Sequence, residues 1–318
     1  MRKIAPAITD LFFTADVATQ GDSRSYIDTA KELSKVNRRL YEQGRMYAYQ
    51  GLSFIFKPVS DGSLASLEVK VKTAGNTWIV HNAFVKGKAL WNEMQDLVLE
   101  DNPSIRGKWA DYKVTLSTSQ TNARTLAAQN GGADVAPGEW NYAQYVMPQH
   151  DVDPATGLPL AADEFSVSLI GDDGATRRSL VKAYQESRAT VQPIDPNVPA
   201  GMSTSFFNLL TDSGSQEPEL ADLIEDENDQ PPYDTDNYPG GDTNAIDPFV
   251  VGFDGCTSFE VDGRIGPFIA PCGLLEIQIQ GYQADGTPVA NANMPAIDLL
   301  LHVAPGTYKG VAAIPMGQ

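Results

Sequence analysis

The chain reads as a mainly β protein, a sandwich or jelly roll of about twelve short strands interrupted by two or three helices. Three observations predict this. Apolar and polar residues alternate over short runs, most cleanly in Leu64–Lys72 and Gly273–Tyr282. Turn formers separate the runs, with 27 Gly and 21 Pro among 318 residues. Tyr and Phe, 12 of each, fall mostly inside the short apolar runs, where a pleated, half-buried surface favours them.

Residues 25–43 have helical spacing: Tyr26, Ala30, Leu33, Val36 and Leu40 share a face, Ser25 can cap the start and Gly44 the end. Arg24, Lys31, Lys35, Arg38 and Arg45 fall opposite, which predicts a basic stripe. Its plain reading is a solvated face. Its sharper reading is a surface that docks on an acidic neighbour, phosphate or anionic lipid. Residues 46–56 alternate and are rich in aromatics, a strand with a bulge at Gly51. Asp61-Gly62 marks a turn into a second strand, 64–72, with Leu67, Val69 and Val71 inward; the two make a plausible hairpin.

Residues 78–100 return to helical spacing, capped by Thr77 or Asn76, with Ile79, Ala83, Leu90, Met94 and Leu97 on one face. Gly87 weakens the middle, and Trp78 and Trp91 read as core anchors. Strands follow at 111–118, 140–147 and 164–170, with a long Gly- and Ala-rich connection at 119–138 and a short helix at 176–188. Pro193, Pro196 and Pro199 make an extended linker. Residues 216–243 hold ten acidic residues and no basic one, and Pro231, Pro232, Pro239, Gly240 and Gly241 keep the second half irregular. Strands resume at 247–253, 257–262, 273–282, 296–304 and 308–314. In 273–282, Leu275, Ile277 and Ile279 point inward, and Glu276, Gln278 and Gln280 lie on a wet face.

Charge divides along the chain. Residues 1–124 carry 17 Lys and Arg against 13 Asp and Glu, a net of +4; residues 125–318 carry 6 against 28, a net of −22. No terminal block of Lys and Arg exists to neutralise packaged nucleic acid. The N-terminal Met1-Arg2-Lys3 is followed by Pro6, Thr9 and Asp10, which break a signal-peptide apolar region. No apolar run reaches the ~18 residues of a membrane-spanning helix.

Catalytic signatures are weak. Ser179-Leu-Val-Lys182 matches Ser-x-x-Lys without companion motifs, and no nucleophile elbow or phosphate-binding glycine loop occurs. The abundant acids sit in polar loops, not in the apolar setting that raises the pKa of a catalytic carboxyl. Three scattered histidines argue against a zinc centre. Cys256 and Cys272 read as free core thiols, with one disulfide as the alternative. Asp151, Asp153 and Gly157, and Asp234, Asp236 and Asp242, cluster oxygen donors in loops without EF-hand spacing. The reading is therefore no enzyme, no cofactor and no metal; a secreted carbohydrate-binding sandwich or a calcium-dependent adhesion module is the alternative.

Four runs carry a resemblance: Asn37-Arg-Arg-Leu-Tyr-Glu-Gln-Gly-Arg-Met-Tyr-Ala48, Thr77-Trp-Ile-Val-His-Asn-Ala-Phe-Val-Lys86, Pro232-Tyr-Asp-Thr-Asp-Asn-Tyr-Pro-Gly-Gly241 and Ala270-Pro-Cys-Gly-Leu274. Together they resemble major capsid proteins of small circular single-stranded DNA viruses from environmental samples, lipid-containing phages among them. The resemblance implies a virion structural protein with a double jelly roll, in pseudo-hexameric trimers that tile an icosahedral shell. The implied partners are other copies, a penton protein and an internal membrane, without sequence-specific nucleic-acid binding. Twelve strands against the sixteen of a double jelly roll keep a single jelly roll with large insertions open. The expected division is an N-terminal segment 1–45, a first jelly roll 46–190 and a second 191–318. The expected contact residues are Lys31, Lys35, Arg38 and Arg45 near the first helix, on the shell's inner side. In the acidic loop, on the outer surface or between capsomers, they are Tyr233, Asp234, Asp236 and Tyr238.

Overall fold

The computed structural model describes residues 6–55, 64–106, 109–147, 155, 163–174, 176–188, 248–257 and 259–317. Eight strands form two facing sheets: β1 Asp10–Ala15, β2 Arg24–Asp28, β3 Arg45–Ile55, β4 Ser66–Thr73, β5 Phe249–Thr257, β6 Asp262–Ile265, β7 Leu274–Tyr282 and β8 Ile297–Val303. One sheet has the order β1-β8-β3-β6, and the other β5-β4-β7-β2. All their pairings are antiparallel. Short strands Phe268–Ala270 and Ala313–Pro315 extend the first sheet along the start of β3.

Alternation builds the core between the sheets. Leu11, Phe13 and Ala15 of β1 and Ile297, Leu299, Leu301 and Val303 of β8 face Leu67, Val69 and Val71 of β4 and Leu275, Ile277 and Ile279 of β7. In β3 the buried side chains are Tyr47 and Tyr49, then Leu52 and Phe54. The change of parity is the expected bulge: His302 opposes Gly51 and Val303 opposes Tyr49, leaving Gln50 unmatched. Gly51 sits at φ +140°, and a Cβ there would meet the Ile265 carbonyl oxygen at 2.3 Å. Only glycine fits this crossing.

Between β4 and β5 lies an insertion containing α3 (Trp78–Asp101), a three-stranded sheet (Gln144–Met147, Asp163–Ser168, Arg177–Ser179) and α4 (Leu180–Arg188). Its apolar side chains join Tyr26 and Leu274 in a second core on the outer face of the second sheet. Gly87 sits at a close approach there: a Cβ would lie 2.7 Å from both Leu180 and the Tyr112 hydroxyl. The Tyr145 hydroxyl donates to the Gly87 carbonyl at 2.6 Å.

Several expectations change. A one-turn helix, α1 (Val17–Gln20), precedes β2, and the helix expected over 25–43 is β2 followed by α2 (Thr29–Asn37). Ser25, Tyr26, Ile27 and Asp28 are all buried, so β2 is covered on both faces and shows no alternation. Asp28, not Ser25, caps α2, and the chain leaves it through Arg38 in the left-handed region at φ 52°, not at Gly44. β3 and β4 belong to different sheets and form no hairpin. Glu276 is buried, because the insertion covers that end of the expected wet face. Residues 111–118 make a single bridge, Thr115 to Ser168, and are no ladder strand. Trp78 is 39% exposed. β4 pairs with β5 and β7, so a boundary at 190 does not separate two sandwiches among the described residues. Cys256 and Cys272 are buried free thiols.

Candidate assembly surface

The five basic residues expected to form one stripe are dispersed. Lys31 is half-buried in the first turn of α2. Lys35 donates at 2.8 Å to Glu32, which is fully buried. Arg38 is exposed beyond the helix end. Arg45 lies on β3, bridging to Glu42 at 3.1 Å and covering the Tyr308 ring at 3.7 Å. Arg24 is on β2 and pairs with Asp22 at 3.0 Å. The stripe fails as a free surface because helical phase places side chains around an axis that ends at Asn37. Tyr233, Asp234, Asp236 and Tyr238, the acidic loop, the Pro-rich linker and both oxygen-rich loops lie outside the described residues.

A buried polar junction was missed at the β2–α2 turn. Asp28 accepts the Lys31 amide at 3.1 Å, the Gln43 amide nitrogen at 3.0 Å and the Trp140 indole N–H at 3.1 Å. Burial outweighs these donors and raises its pKa to about 6. Gln43 also bonds Val114 in both directions, 2.6 and 2.8 Å, and Glu32 accepts the Ala128 amide at 2.7 Å. The junction therefore ties the inserted 113–140 segment to the sandwich. Lys113 lies over the rings of Trp109 and Trp140, at 4.0 and 5.0 Å, and burial lowers its pKa. Asp-x-x-x-Glu with a distant Gln carries no spacing signal that separates it from a solvated helix start.

On the outer face of the first sheet, Asp10 Oδ1 stands 2.8 Å from His302 Nδ1, and His302 Nε2 stands 3.1 Å from Ser53 Oγ. The order is that of a hydrolytic triad. Its members come from the neighbouring strands β1, β8 and β3 on one sheet face, where Asp10 and His302 are register partners. There it stitches three strands together. The Ser179-Lys182 pair has another role: Ser179 Oγ accepts the Lys182 amide at 3.4 Å in the first turn of α4, and Lys182 Nζ reaches Asp173 at 3.8 Å.

Among the described residues, two stretches expose several large apolar side chains close together. One is the edge strand β5, where Val250 and Phe253 are exposed, with Phe259 beyond it. The other is the second half of α3. Ile79, Val80, Ala83, Phe84 and Gly87 are buried in the first half. Past Gly87, Leu90, Leu97 and Val98 are 49%, 65% and 53% exposed. Among the described residues there is no cluster of three or more metal-ligating side chains, and no helix is long and apolar enough to cross a membrane. No protein-family model, curated protein or solved structure matches the chain.

Proposed function

We propose that this chain is a viral capsid protein that assembles with copies of itself into a closed shell. The observation that carries the reading is strand order. Counted in chain order, the eight sandwich strands run 1-8-3-6 in one sheet and 2-7-4-5 in the other. That is the order of a jelly roll, the double-sheet fold used by viral shell proteins among others. The finer reading is a single jelly roll with a large insertion between its fourth and fifth strands. Fold alone does not fix function. The four sequence runs that resemble capsid proteins of small circular single-stranded DNA viruses support the same reading. So do the exposed apolar surfaces on β5 and α3, which suit burial between subunits. The proposed partners are other copies, as trimers and then a shell in the virion, with a penton protein and an internal membrane as further contacts.

Size in solution tests the proposal. The full chain, purified and examined by sedimentation velocity and negative-stain microscopy, is expected to give stable trimers or regular particles. A monomer at every concentration and salt, with affinity for sugar or calcium, overturns the capsid reading.

A further inference from the structure

We propose that the exposed second half of α3 pairs antiparallel with the same helix of a second copy of the chain. The inference rests on the self-assembly reading and names one contact within it. Lys86, Leu90, Met94, Leu97 and Asp101 lie on one line of α3, spaced by four, four, three and four residues. Leu90, Leu97 and the ends of the line are exposed, and Met94 is half-buried against the second core.

The line is self-complementary outside its centre, where Met94 faces Glu93 of the second copy. A two-fold axis between Glu93 and Met94 sends each residue to the one whose number completes 187. Leu90 then meets Leu97 of the second copy, twice. Lys86 meets Asp101 of the second copy, also twice, while retaining its bond to Ser187 Oγ at 2.8 Å. A two-fold contact requires such a reciprocal pattern. A parallel pairing would place Lys86 beside Lys86 and Asp101 beside Asp101. About four helical turns bury well under the ~800 Å² per partner of a stable standard interface, so the contact is weak alone and works as one of several.

Cross-linking of the full chain tests register and direction together. In a helix, positions 90 and 97 are about 10 Å apart along the axis, too far for a disulfide within one copy. Leu90→Cys and Leu97→Cys, each alone under mild oxidation, are expected to stay uncross-linked; mixed, they give a disulfide-linked dimer. Leu97→Glu, at an exposed position, is expected to keep the thermal melt and weaken self-association about tenfold or more. Lys86→Asp and Asp101→Lys each weaken it, and the double variant restores it.

Cross-linking in the single variants, or none in the mixture, overturns the proposal. So does a Leu97→Glu chain that associates normally; the second half of α3 is then covered by the chain's own residues 189–247, by lipid or by nothing. If particles still form, the capsid reading survives that failure. A wild-type chain that never self-associates removes both.

Discussion

Asp28 shows how one side chain can join two parts of the molecule. It caps α2 and receives donors from Gln43 and from Trp140 of the insertion. Asp28→Ala is expected to lose the cap, ~1 kcal/mol, and to leave a buried Gln43 amide N–H and a part-buried Trp140 indole N–H without their acceptor, a further ~1–3 kcal/mol. The urea midpoint checks it, and a change within error would mean that water replaces the carboxylate. The pH dependence has a definite sign. Burial raises the Asp28 pKa from 3.8 to about 6 in the folded state. Between those values the folded chain holds a proton that the unfolded chain has released. The group's stabilisation is therefore full below pH 3.8 and is lost as pH rises through 6, by roughly 3 kcal/mol at most. Asp28→Asn should remove that slope, seen as a wild-type-minus-variant stability difference that changes between pH 4 and 6 only. A flat difference would mean that the carboxyl titrates as if in water.

α3 shows what hydrophobic spacing can and cannot tell. The helix and its Thr77 cap were legible, because the apolar period runs from Ile79 to Leu97 and is interrupted only at Lys86-Gly87. Which part of that stripe meets the chain's own core was not legible, since periodicity does not say whose surface covers it. Gly87 looked like a weakness in the helix, yet it is where Leu180 and Tyr112 approach most closely. Gly87→Ala should therefore destabilise the fold by a net ~0–2 kcal/mol despite its better helix propensity, because an overpacking cost of ~1–3 kcal/mol offsets the ~1 kcal/mol propensity gain. A raised melting temperature would show instead that the α3–α4 contact yields easily. β3, β4, β7 and β8 were legible as strands because each buries one side along most of its length. β2 was hidden by burial on both faces. The segment 109–143 was hidden because side chains such as Gln43 and Gln120 satisfy its backbone at Val114 and Leu116 in place of a ladder. The basic stripe failed for a related reason: sequence phase extended a helix through residues that belong to a strand and a turn.

At the scale of the whole molecule, self-association must overcome the net charge of −18. A chain of this length has a radius near ~25 Å, so two touching copies have centres ~50 Å apart. Two charges of that size in water repel by about 27 kcal/mol before screening. With a Debye length of ~30 Å at 10 mM salt, about 5 kcal/mol remains; at ~8 Å and 150 mM, only a small fraction of 1 kcal/mol remains. The attractive Lys86–Asp101 contacts proposed between copies are exposed and contribute ~0.2–1 kcal/mol each. Global repulsion therefore outweighs local attraction at low salt, and the order reverses near physiological ionic strength. Self-association is expected to strengthen when salt rises from 10 to 150 mM, as measured by sedimentation velocity at constant protein concentration. Above that range little repulsion is left to screen, so further salt acts mainly on the local pairs and the apolar contact. A steady weakening from 10 mM upward would mean that opposed charged surfaces, not apolar seams, hold the copies together, as a basic face docking on an acidic one would require.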